Sequence, residues 1–167
     1  MSRIEMVISD FGGVLTTPLD LAFATLNDDV GIAREYFVSA LKAIFEDTAA
    51  KRDLYARLEP RMKPGAILAS NTSSIMLEDL AGGLADPGRL VGLHFFNPVA
   101  QMPLVEVIDF AQTRPEARAA ALAFTRAIDK LPLPCRSAPG FLVNRILVPY
   151  LTEAMLAAQE GVPFAII

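Results

Sequence analysis

Short apolar runs recur along this chain, each bounded by turn residues and separated from the next by a segment of helical spacing. Met6-Val7-Ile8-Ser9 ends at Asp10 and Gly12-Gly13, which reads as a strand and a tight turn. Ala66-Ile67-Leu68-Ala69, Leu90 to Phe96, Leu104 to Ile108 and Leu131 to Cys135 read as further strands. The last is held extended by Pro132 and Pro134. Between these runs the period changes. From Leu19 to Leu26, and from Ala33 to Leu58, the spacing is helical, with Phe37, Leu41, Ile44 and Phe45 on one stripe and Pro60 and Pro64 as the stop. Ile75, Leu77, Leu80 and Leu84 predict a short helix after the hydroxyl-rich Ser70-Asn71-Thr72-Ser73-Ser74. Arg114 to Lys130 is Ala-rich and helical, with Pro115 near its start. A long helix is predicted from about Phe141 to Glu160, closed by Gly161. Strands alternating with helices predict an α/β fold with a largely parallel sheet.

Composition narrows the class. A length of 167 residues suits about one domain, and 53% hydrophobic residues exclude disorder over the whole chain. Fifteen Lys and Arg against 19 Asp and Glu leave a net charge of −4 and no basic stripe, so no nucleic-acid partner is expected. The single Cys135 forms no intrachain disulfide, and no Cys/His cluster suggests a metal. The opening MSRIEMVISDFGG meets Glu5 and Asp10 too early for a secretory signal. The most apolar stretch, Phe141 to Ile167, is broken by Asn144, Arg145, Glu153, Glu160 and Pro163 and is not a membrane span. A cytoplasmic location is expected, with no membrane partner.

The only histidine, His94, lies at the end of a predicted strand in Gly-Leu-His-Phe-Phe-Asn-Pro. Such a residue is either a satisfied structural histidine or part of a site, since sites form at strand ends of parallel sheets. Glu106 lies inside Leu-Val-Glu-Val-Ile, where a carboxylate needs a partner. Adjacent strands would set Glu106 on one imidazole nitrogen and leave the other to accept a proton, the arrangement of an oriented general base. Ser73 is either a helix cap or a donor to a substrate oxygen, and Asn144 either a satisfied amide or a second such donor. Cys135, in Pro-Cys-Arg, reads as a packed thiol and not a nucleophile.

The stretches AIFEDTAAKRDLYARLE, AILASNTSS, GLHFFNPVAQMPLVEVI and PGFLVNRILVPYLTEA, in this order, resemble the L-3-hydroxyacyl-CoA dehydrogenase family. Their wording is most similar to the dehydrogenase part of bacterial multifunctional fatty-acid oxidation proteins. The resemblance runs from about Ala43 to Ile167. It implies oxidation of the 3-hydroxyl of an acyl-CoA to a ketone, with hydride passing to NAD. It implies His94 as the base, Glu106 as the acid that orients it, and Ser73 and Asn144 as hydrogen-bond partners of the substrate oxygen. It places Glu46 and Lys51, with Asn71 and Ser73 beside them, at the nicotinamide ribose end of the cofactor site. The implied fold is an incomplete parallel-sheet Rossmann-like domain followed by the first helix of an all-α C-terminal domain.

No Gly-x-Gly-x-x-Gly turn can be built from the glycines of this chain, so NAD binding is expected to be weak or lost. MVISDFGGVLTTPL instead resembles the opening of the haloacid-dehalogenase-like hydrolases. That resemblance makes Asp10 an alternative nucleophile, against the plainer reading of a polar cap at a strand-to-turn junction. The domains expected are 1–42, a hydrolase-like N-terminal fragment, 43–137, the second half of an NAD-binding domain, and 138–167, the start of a helical domain. A seam between two incomplete genes is read between about Ser39 and Glu46, where Lys42 stands in place of an acid. The function expected is a truncated or fused 3-hydroxyacyl-CoA dehydrogenase of impaired activity. The alternatives are a hydrolase or phosphatase using Asp10, and an inactive remnant. An acyl-CoA is the expected substrate, and an exposed apolar C-terminal helix is expected to favour homo-oligomers.

Overall fold

A computed structural model describes residues 6–9 and 47–167. Asp10, Glu46, the predicted helix from Leu19 to Leu26 and the predicted seam lie outside the described residues. Among the described residues five strands form one sheet in chain order: β1 (Met6–Ser9), β2 (Ile67–Ser70), β3 (Leu90–Phe95), β4 (Leu104–Asp109) and β5 (Leu131–Arg136). β1 with β2, β2 with β3, and β4 with β5 pair in parallel. β3 and β4 run antiparallel, the one exception among the described pairings to the largely parallel sheet expected. The cause is the connection. A parallel return needs a crossover of about a dozen residues or more, and the segment from Phe96 to Pro103 is shorter than that.

Among the described residues four α-helices accompany the sheet: α1 (Thr48–Leu58), α2 (Leu77–Ala81), α3 (Pro115–Ala127) and α4 (Val143–Gln159). The predicted helix from Ala33 to Leu58 is not continuous. Asp47 is extended, at φ −112° and ψ 107°, and its carboxylate accepts from Ala49 N–H and Ala50 N–H. An N-cap of this kind starts a helix, because it satisfies amides that have no partner within the helix. α1 then ends at the predicted stop, where Pro60 lies in a short 3-10 turn.

Residues of alternate parity along the strands feed two cores. Leu68, Leu90 and Ile108 pack with Leu54, Tyr55 and Leu58 of α1 and Leu77 and Leu80 of α2. Ile67, Ala69, Val91, Leu93, Val105 and Val107 pack with Ala117 and Ala121 of α3. Both faces of β2, β3 and β4 are covered, which is why these strands read as largely apolar runs and not as alternating ones. Gly92 faces Ile108 across the antiparallel pair, and a Cβ there would lie 2.8 Å from the Ile108 Cδ1. α4 follows β5 and buries none of its residues. Among the described residues no helix is long and apolar enough to cross a membrane.

Candidate active site

The antiparallel register sets His94 directly opposite Glu106. Both lie on the face covered by α1 and α2, since strand parity places them with Leu90 and Ile108. The His94 Nδ1 is 2.6 Å from the Glu106 Oε2. The other carboxylate oxygen, Oε1, accepts from Leu142 N–H at 2.9 Å and Val143 N–H at 2.8 Å, at the start of α4. Those amides have no partner within the helix, and the positive end of the helix dipole favours an anion there. Glu106 is fully buried, and burial alone pushes its carboxyl up. The hydrogen bonds from His94, Val143 and Leu142 outweigh that and hold it below the ordinary value of 4.5. The imidazole is buried, with Phe96 and Phe141 against its ring at centroid distances of 4.6 and 5.7 Å. Its Nε2 makes no hydrogen bond to any described residue.

The loop after β2 carries the remaining candidates. Asn71 Oδ1 accepts from Phe95 N–H at 2.9 Å and so pins the end of β3 next to His94. No side chain caps α2, whose N-cap is Met76, so Ser73 is not a helix cap; within the loop Thr72 Oγ1 accepts from Ile75 N–H at 2.9 Å. Ser73 is half-buried, and its carbonyl accepts from Asn144 Nδ2 at 3.4 Å, which joins the loop to α4. Lys51 is buried on α1. Cys135 is half-buried, and burial, with the charges of Glu106 and Asp109, pushes its thiol up to about 12, so it stays protonated.

The structure therefore joins His94 to Glu106 and Asn144 to Ser73, and seats Asn71 on the strand that bears His94. Sequence reasoning missed Thr72, Phe141 and the two α4 amides. Thr72 was masked by the hydroxyls on either side of it. The amides had one available signal, the Pro139-Gly140 turn just ahead of the helix.

Residues 25–138 match the family model described as "3-hydroxyacyl-CoA dehydrogenase, NAD binding domain". The chain belongs to this family. It is 44% identical over 121 residues to a probable 3-hydroxyacyl-CoA dehydrogenase of Caenorhabditis elegans, covering 72% of this chain and 41% of the relative. It is 42% identical over 123 residues to the fatty acid oxidation complex subunit alpha of Vibrio cholerae, covering 74% of this chain and 17% of the relative. It thus spans less than half the length of these curated relatives. Among solved structures it is similar to an (S)-3-hydroxybutyryl-CoA dehydrogenase of Ralstonia eutropha, with a TM-score of 0.74 and 27% identity. That likeness covers 96% of this chain and 73% of the other. The family match and the similar structures carry the Rossmann-like α/β reading of the sheet.

Proposed function

We propose that the chain oxidises the 3-hydroxyl group of an L-3-hydroxyacyl-CoA to a ketone in an NAD-linked reaction of fatty-acid β-oxidation. The observation that carries this reading is the 2.6 Å contact between His94 Nδ1 and Glu106 Oε2, with Nε2 left without a hydrogen bond among the described residues. Nε2 takes the proton of the substrate hydroxyl. The carboxylate of Glu106 fixes the tautomer and stabilises the imidazolium that forms. Ser73 and Asn144 hold the substrate oxygen as its hydrogen-bonding needs change. When bound, NAD supplies the hydride acceptor. Lys51, Asn71 and Ser73, with Glu46, would hold its nicotinamide ribose end. That donor set fits the cofactor, since Asn71 and Ser73 follow the carboxyl end of β2, where ligands of open α/β sheets bind. The pyrophosphate has no Gly-x-Gly-x-x-Gly turn in this sequence, so the affinity for NAD is low.

The test is nicotinamide absorbance with a 3-hydroxyacyl-CoA, together with NADH titration followed by fluorescence. His94→Ala lowers the rate by about 10²- to 10⁴-fold, the usual worth of a general base. Glu106→Gln loses most of the activity with its circular dichroism unchanged. Activity that survives His94→Ala removes the assignment of the base. A low-micromolar affinity for NADH removes the expectation of weak binding.

A further inference from the structure

The two amides that hold Glu106 are reached through an uncommon stretch of backbone. Phe141 N–H donates to the Ala138 carbonyl at 2.9 Å and closes a tight turn. Pro139 fills its second position and Gly140, at φ 71°, its third, the preferences of a type II turn. Phe141 then also adopts a left-handed φ, of 49°. A bulky residue rarely does so, and glycine or asparagine would be less strained. Leu142 returns to the right-handed region at φ −99° and ψ −51°. A left-handed residue followed by a right-handed one turns successive N–H groups to the same side and makes a concavity suited to an anion. Here the anion is the Glu106 carboxylate, with Leu142 and Val143 as donors.

The strained position nevertheless keeps a full aromatic ring. It is 2% exposed, packs in the core with Leu90 and Ile108, and meets the His94 ring at an interplanar angle of 59°. Strain retained beside a reactive pair calls for a functional account. We propose that Phe141 is a positioning residue for the His94–Glu106 pair. Its left-handed backbone aims the Leu142 and Val143 amides at Glu106, and its ring shuts water away from the imidazole. The functional value of this rests on the reading of His94 as the base, but the test below needs no turnover.

His94 is the only histidine, so a nitrogen-edited spectrum of the full chain holds one imidazole. In the parent, the Nδ1 proton exchanges slowly with water. The Leu142 and Val143 amides exchange more slowly than Glu116 and Ala117, first-turn amides of α3 that no side chain caps. Phe141→Gly keeps the left-handed backbone and removes the ring, so the imidazole proton exchanges about tenfold faster while both amides stay protected. Phe141→Val keeps apolar bulk but resists the left-handed φ, so the two amides lose about tenfold in protection. Phe141→Tyr leaves both readouts as in the parent. If Phe141→Val fails to fold, the glycine variant and the parent decide alone. Leu142 and Val143 amides that exchange as fast as Glu116 and Ala117 in the parent overturn the proposal. So does an imidazole proton unmoved in Phe141→Gly. Normal protection without oxidation of 3-hydroxyacyl-CoA leaves the positioning role standing and removes the proposed function instead.

Discussion

Glu106 is the residue on which the site's electrostatics turn. With no exposed surface, it stays ionised because each oxygen has its own donors: His94 on one side, two α4 amides on the other. The sign of the pH effect follows. Its folded carboxyl lies below the ordinary 4.5, so over the acid range the unfolded chain binds more protons. The stabilisation is complete above the ordinary carboxylate value and is lost as pH falls through the folded value. Urea midpoints measured from about pH 5 down to about pH 3 therefore fall less steeply in Glu106→Gln than in the parent. Identical slopes would show that the carboxylate is not what titrates. The partnership itself was legible in the residues, because a carboxylate inside an apolar strand must be compensated and a lone imidazole stood on a nearby strand. The amides were legible only through the Pro139-Gly140 turn ahead of them, since a backbone N–H looks the same in every residue but proline.

At the scale of elements, the antiparallel β3–β4 pair makes the site, because its register alone brings His94 across from Glu106. That pairing depends on Gly92, whose missing Cβ leaves room for Ile108. Gly92→Ala should cost about 1–3 kcal/mol in denaturant unfolding, as overpacked cores do, and should reduce turnover by spreading the strands at His94. Ile108→Val relieves only the Cδ1 contact, because the Ile108 Cβ also lies 2.9 Å from the added atom, so the double variant recovers part of the loss. β2, β3 and β4 were legible because helices on both faces make them largely apolar. The direction of β4 was open to an argument from connection length. The start of α1 was hidden because the apolar stripe upstream carries the helical period straight through its capping Asp47.

At the scale of the whole molecule, α4 and the tail beyond it carry most of the exposed large apolar side chains among the described residues. Ile146 is 66% exposed, Tyr150 68% and Phe164 87%, and Leu151 and Met155 are also exposed. Exposed apolar side chains in this number favour association, so self-association is the expected outcome. Sedimentation should show an average mass that rises with concentration above the 18.0 kDa of one chain. Combining Ile146→Glu, Tyr150→Glu and Met155→Glu should return it toward that mass while leaving the fold unchanged. A parent that sediments as a monomer at every concentration refutes this. The other boundary of the sheet behaves differently. Leu131 N–H bonds the Pro103 carbonyl and Ser137 N–H the Asp109 carbonyl, so the odd-numbered residues of β5 face β4. Pro132 and Pro134 therefore occupy outward positions, where an incoming strand would look for donors and find none. With Arg136 as the one outward N–H left on β5, this border is a poor template for pairing chains backbone to backbone. Contacts made through greasy side chains on the helix come apart on dilution, whereas a shared ladder would seed a fibre.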